Sequence, residues 1–338
     1  MKSIITAFLI FKILVQGYGQ VYFVDVVNGV DANDGTKSNP FKSLSRAIDK
    51  ANLLTASGDI TIKVMPGTYV LEDKIVINPV RIFGDSNRFT VEAYFNPDDE
   101  MWSPEKMPVI LSVASHNSHT LFDHSVGFLI ASERVTINGL KFLGNANQAI
   151  SYYYPIVKED TTLADLAVTQ CVFIGDKESS FIQGGVWAHG PNNVIDHCVF
   201  YECRNAVLFF DNVEGFQITN SIISKSYESA FWWTPKDVDF EFRNNILVHN
   251  ENVIVSSRAK KPTYSSPLKN SIISDNKSFV GYWSREDSKV MPAEAPVIKL
   301  ENVVQNIYTE IQENFGTKWD RGHLHVKGNT AKAGIFTK

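Results

Sequence analysis

His189, Lys236 and Arg258 are side chains of the types that remove a proton beside a carboxylate or neutralise that carboxylate, and Tyr227 is a further base of the same kind. β-Elimination from a uronate needs both services, a cationic partner for the acid group and a base for the C5 proton. Trp187, Phe210 and Trp232, with Asp211 beside them, are residue types that hold a sugar. Pyranose C–H faces stack on rings, while charged groups fix hydroxyls or carboxylates. Hydrolysis would need two carboxylates across a scissile bond. Of Asp211, Asp237 and Asp239, only Asp211 adjoins the strand phrase described next. A third class, a binding or envelope protein, needs the aromatic shelf and no base. His189 also reads as a satisfied structural histidine.

A repeat has to position these residues. Val-Thr-Ile-Asn-Gly from Val135 returns from Ala167, Val194, Gln217, Glu241 and Pro267, with Ile137, Val168, Ile195, Ile218, Phe242 and Leu268 equivalent and spaced 23 to 31 residues apart. That is a solenoid period. Each unit is rich in β-branched and aromatic residues and punctuated by Asn, Gly or Ser, which predicts short strands and turns with no helix. Coils of such strands pair in register with their neighbours and bury one face, which is a parallel β-helix. Two positions past the anchors stand Gln170, His197, Asn220, Asn244 and Asn270, read as a stacked turn ladder.

A second strand phrase begins at Gly185, Ala206, Ala230 and Asn252, with a looser copy at Ser278. If Val186, Val207, Phe231 and Val253 face inward, Trp187, Leu208, Trp232 and Ile254 face outward. His189, Phe210 and Asp211 then follow at the strand ends, with Lys236, Arg258 and Arg285 just beyond. Both faces of these strands are apolar, so the opposite phase, with Trp232 and Trp233 as core, stays open. Residues 86–108 and Ser151 to Pro155 read as loop excursions, and strands are expected at Ile60 to Val64, Lys74 to Ile77 and Val80 to Phe83.

At the N-terminus Tyr22-Phe23-Val24-Asp25 precedes a turn-rich stretch to Thr36. Ser38-Asn39-Pro40 then opens a helix with apolar Phe41, Leu44, Ile48, Ala51 and Leu54. An amphipathic helix there covers the open end of the first coil. These residues, with Asn39-Pro40-Phe41-Lys42-Ser43-Leu44 and Val64-Met65-Pro66-Gly67-Thr68-Tyr69, resemble the opening of exported right-handed parallel β-helix proteins of the pectin-lyase-like superfamily. The resemblance implies an all-β, right-handed parallel β-helix with an N-terminal capping helix. It implies no single activity, because lyases, hydrolases, epimerases and non-enzymes share the opening.

Residues 1–20 carry Lys2, an apolar run broken by Lys12 and a small-residue end, the build of a secretory signal. The run is too short to span a membrane. We therefore expect a signal over 1–20, a β-helix domain over 21–298 and a C-terminal cap over 299–338. The destination would be secreted, periplasmic or at the cell surface. A formal net charge of -5 argues against nucleic acid as a general partner. Cys171 and Cys198 occupy one slot of successive repeats and read as core, with pairing of Cys198 to Cys203 or Cys171 also open. The acidic loop from Asp25 to Asp34 offers hard oxygen ligands to calcium, and otherwise reads as an Asx-rich turn. The sequence thus points to a polysaccharide partner and, first among activities, to lyase-type cleavage of an acidic glycan. The expected catalytic residues are Arg258, Lys236 and His189, and the expected substrate contacts are Trp187, Phe210, Asp211 and Trp232.

Overall fold

The structure is a computed structural model. It describes residues 19–84, 86–120, 122–233, 240–257, 260–305 and 333–337. The expected signal segment therefore lies outside the described residues except for its last two positions, as does most of the expected C-terminal cap.

The chain coils into a right-handed parallel β-helix with three faces. The first sheet has ten strands, from Gln20–Val24 to Val297–Glu301; the second has eight, from Thr68–Leu71 to Ile272–Ser274. The third has nine, from Ile75–Ile77 through Ser278–Ser284, closed by an antiparallel return, Lys289–Pro292. The anchors pair as their spacing predicts: Ile137 with Val168, then Ile195, Ile218, Phe242 and Leu268 in one column of the first sheet. Register holds because strand side chains alternate, so a one-residue slip would turn every anchor out of the core.

Two kinds of ladder fix the corners. Gln170, His197, Asn220, Asn244 and Asn270 all take left-handed backbone conformations, φ 47 to 57°, which Asn tolerates better than most residues. Asn244 Nδ2 donates to Asn220 Oδ1 at 3.0 Å, and Asn220 Nδ2 to Asp196 Oδ1 at 2.7 Å. His197 joins the same corner through Asp196, 2.8 Å from its Nδ1. On the inner side of the same corner Asn245 is fully buried, giving its Nδ2 to the Ile218 carbonyl and accepting the Ser221 N–H, both at 2.8 Å. Between the corners Phe142, Phe173 and Phe200 stack at 4.9 and 4.6 Å, coil upon coil. Cys171, Cys198 and Cys203 are buried free thiols; burial pushes Cys203 up to about 12.

The capping helix forms as Leu44–Asn52, with Leu44, Ala47, Ile48 and Ala51 buried against the first coil. It starts later than its sequence suggests. Ser43 caps it by accepting the Arg46 N–H, and Asp31 binds Ser43 in turn, while Phe41 bridges to Val24 ahead of the helix.

Several expected loops and strands differ. Phe89–Ala93 is a strand of the first sheet inside the supposed excursion, and its buried positions Phe89, Val91 and Ala93 alternate. Tyr153–Lys158 is a strand of the third sheet, with Tyr153 wholly buried. Val80 and Ile82 are exposed and form no strand, since nothing on the coil covers them. In the third sheet Phe231 pairs with Ile254 and Trp232 with Val255, so Ile254, expected outward, shares the inward column of Phe231, while Val253 is buried in the core beside it. Gly334 to Thr337 lie along the flank of the solenoid, with Ile335 buried there against Val172, Val199 and Ile222. Gln170 donates to the Ile335 carbonyl, Gly334 to that of Asn220, and Phe336 packs edge-on against Trp102.

Candidate functional site

The outer face of the third sheet is apolar at its centre. Val126, Val157, Trp187 and Leu208 project outward from successive strands and pack together, with Trp232 beside them. Trp233, one residue on, points into the core and is wholly buried. Alternation along Ser229–Trp233 thus assigns one tryptophan to each face.

Over this strip lies an open groove of about 820 Å³. It draws residues from each coil between Phe122 and Arg285, a reach of seven strands or about 29 Å along the axis at the usual strand spacing. Trp187 is only 3% exposed, because Tyr154 packs on it at 5.0 Å and Phe122 lies parallel over it at 6.3 Å. Trp232 is half-buried and keeps part of its ring open between Phe210 and Trp283, at 6.3 and 5.6 Å. The ring of the floor that stays open to a ligand is therefore Trp232 more than Trp187. Phe122 arrives on a hairpin in which Ser118 pairs with His124, and Glu159 holds that hairpin by accepting the Ser118 and Thr120 hydroxyls.

Parallel strands give the groove two unlike margins. Where the strands end stand His189, Phe210, Asp211, Ser257 and Arg285. His189 is 6% exposed, and both ring nitrogens meet protein N–H groups: Trp187 Nε1 donates to Nε2 at 3.0 Å, and the Asp211 N–H lies 3.2 Å from Nδ1. A neutral imidazole carries one acceptor nitrogen, so either tautomer satisfies one of these contacts. The geometry casts His189 as a brace between Trp187 and the Asp211 turn.

The margin where the strands begin was not apparent from sequence. Gln183, Arg204 and Glu228 occupy one slot on three consecutive coils, immediately ahead of the strand phrases. Arg204 donates Nε and Nη2 to Glu228 Oε1, at 3.0 and 2.6 Å, and Nη1 to Gln183 Oε1 at 3.3 Å. Asn205 donates to Glu228 Oε2 at 2.8 Å. The Glu228 side chain is 10% exposed and that of Arg204 35%. Burial alone would pull the Arg204 guanidinium down, but Glu228 beside it holds it above its ordinary value. A charged residue of opposite sign in the same slot of successive repeats was the available signal.

The structure thus brings Trp187, His189, Phe210, Asp211 and Trp232 to one groove. Lys236 and Arg258 lie outside the described residues. Tyr227 does not line the groove, and burial raises its phenol, which opposes a base role. Among the described residues no three His, Cys, Asp or Glu side chains gather as a metal site. Asp25 accepts the Val27 and Asn28 N–H groups, and Asp31 those of Lys42 and Ser43, so the acidic loop is built from Asx turns and a cap anchor.

A family model described as a protein of unknown function, DUF1565, matches residues 27–285. The chain belongs to that family. No curated protein matches it. Among solved structures it is similar to a GH136 lacto-N-biosidase from Eubacterium ramulus, with a TM-score of 0.49 and 12% identity over 85% of this chain and 67% of that one. It is also similar to a rhamnogalacturonan lyase, with a TM-score of 0.41 and 14% identity over 90% of this chain and 95% of that one.

Proposed function

We propose that this chain is an exported polysaccharide-active protein of the pectin-lyase-like kind, seating a glycan along the outer face of the third sheet. The observation that carries this reading is the groove itself, an aromatic floor centred on Trp232 between two polar margins. Rings for C–H faces and fixed polar groups for hydroxyls are the components of a sugar site. The expected leader over residues 1–20 supports export, and fractionation of cells expressing the whole chain tests it.

Lyase-type cleavage of an acidic glycan is the leading activity, with Arg258 and Lys236 as the residues to test as carboxylate partner and base. Mixing the purified protein with uronate polysaccharides, with and without calcium, should generate the ultraviolet absorbance of an unsaturated product. Arg258→Ala and Lys236→Ala should each abolish it. Reducing ends released without that absorbance would assign hydrolysis to groove carboxylates such as Asp211 and Glu228. The bracing of His189 by Trp187 and Asp211 favours a second reading, a non-catalytic binding protein. Silence in both assays with retained binding would establish it, and a Trp232→Ala protein that binds glycan as well as the parent would refute the groove on any of these readings.

A further inference from the structure

The two margins of the groove differ in how their charge is held, and this bears on which sugar each one takes. This inference rests on the groove being a glycan site. At the strand-start margin, one Glu228 oxygen receives two Arg204 nitrogens and the other receives Asn205, while the third Arg204 nitrogen reaches Gln183. The cationic charge of Arg204 is therefore already matched, by a carboxylate more deeply buried than itself.

A sugar carboxylate arriving here would either displace Glu228 from Arg204 or accept from a remaining guanidinium N–H and lie beside Glu228. Displacement would leave Glu228 charged, mostly buried and supported by Asn205 alone, and either arrangement sets two carboxylates of the same sign side by side around one already matched cation. Breaking a buried pair by withdrawing one partner is strongly unfavourable, and two adjacent carboxylates repel. A sugar hydroxyl asks for no such exchange, because one oxygen both accepts and donates. It accepts from the partly exposed Arg204 guanidinium and donates to a carboxylate or amide oxygen next to it. Trp232, outward and half-buried on the strand that begins beside Glu228, supplies the surface for the ring, with Leu208 buried next to it.

We propose that Gln183, Arg204, Asn205 and Glu228 form a subsite for an uncharged sugar, read through its hydroxyls. The acidic sugar of the substrate then sits elsewhere in the groove, and the preferred glycan is a heteropolymer containing both neutral and uronic residues. Glu228 is a specificity determinant, since it withholds Arg204 from carboxylates.

Binding of neutral, uronic and mixed oligosaccharides to the full-length protein, measured by calorimetry for the parent, Glu228→Gln, Arg204→Lys and Trp232→Ala, tests this. Glu228→Gln keeps the shape and frees the charge of Arg204. Its affinity for neutral oligosaccharides should fall about tenfold, the loss of one charge-assisted hydrogen bond, while its affinity for uronic ones rises and becomes salt-dependent. Arg204→Lys, which keeps the ion pair and loses the planar fork, should weaken neutral binding without gaining uronic binding, so it tests the idea even if Glu228→Gln folds poorly. Uronic affinity that falls or stays constant in Glu228→Gln, or parent binding to purely uronic chains that Arg204→Lys abolishes, would overturn the proposal. If Trp232→Ala loses binding while both margin variants behave as the parent, the groove stands and this subsite fails. If the parent binds no glycan, both readings fall together.

Discussion

Removing Arg204 and Glu228 singly and together tests whether their ion pair belongs to the site or to the stability of the coil. Breaking a fully buried pair from one side costs about 3–5 kcal/mol. The two sides here are unequal, since the Arg204 side chain is 35% exposed and that of Glu228 10%. Glu228→Leu leaves a guanidinium that water still reaches, for which the discounted cost is about 2 kcal/mol. Arg204→Met leaves a nearly buried carboxylate with only the Asn205 amide, and its cost should approach about 3 kcal/mol. The double variant strands neither charge, and Asn205 keeps its bond to the Gln183 carbonyl. It should lie within about 1 kcal/mol of the parent, as apolar replacements of buried pairs often do. Urea unfolding of the four proteins at neutral pH, followed by tryptophan fluorescence, closes the cycle. Costs that simply add in the double variant would refute the coupling. A double variant that is stable yet blind to glycan would show the pair to be kept for recognition.

Other outcomes follow from particular residues. Phe173→Ala removes the middle ring of the Phe142–Phe173–Phe200 stack and should cost about 4 kcal/mol in the same unfolding assay; a loss under about 1 kcal/mol would mean that the coils repack freely. Lys158 is wholly buried and bonded to the Leu163 carbonyl and Asn193, and burial draws it down to about 8. The unfolded chain holds that proton more tightly, so stability should rise by up to about 3 kcal/mol as pH climbs from 8 past 10, a rise that Lys158→Met should abolish. Burial alone would raise Asp196, but His197, Thr219 and Asn220 hold it below its ordinary value. Its stabilisation is therefore present above the unfolded value and lost as pH falls through the folded one, so Asp196→Asn should cost about 1–2 kcal/mol at neutral pH and converge with the parent in acid. A thiol reagent should find no reactive cysteine in the folded protein and three after denaturation, and fewer than three would reveal a disulfide.

The coil was legible in the sequence because its determinants are local and repeated. Ile137, Val168, Ile195, Ile218, Phe242 and Leu268 stack one above another because strand pairing at fixed register makes equivalent positions neighbours. Left-handed corners ask for Asn whatever lies around them, so the residues two places beyond the anchors were legible for the same reason. The gathering of Trp187, His189, Phe210, Asp211 and Trp232 followed from alternation along one strand phrase.

Other features depended on what covers each face, which no period encodes. Trp187 and Trp232 hold the same slot, yet the Phe122 hairpin and Tyr154 bury the first and leave the second partly open. From sequence His189 reads either as a base or as a structural histidine, and Trp187 and the Asp211 turn, meeting its two nitrogens, favour the second. Arg204 and Glu228 lie 24 residues apart, and each alone reads as a solvated surface charge. Sequence by itself determined the coil, because one residue type per slot is enough to stack it. Only the tertiary structure decided which outward side chains are covered and which charges cancel, because both depend on contacts between coils and with the loops laid across them.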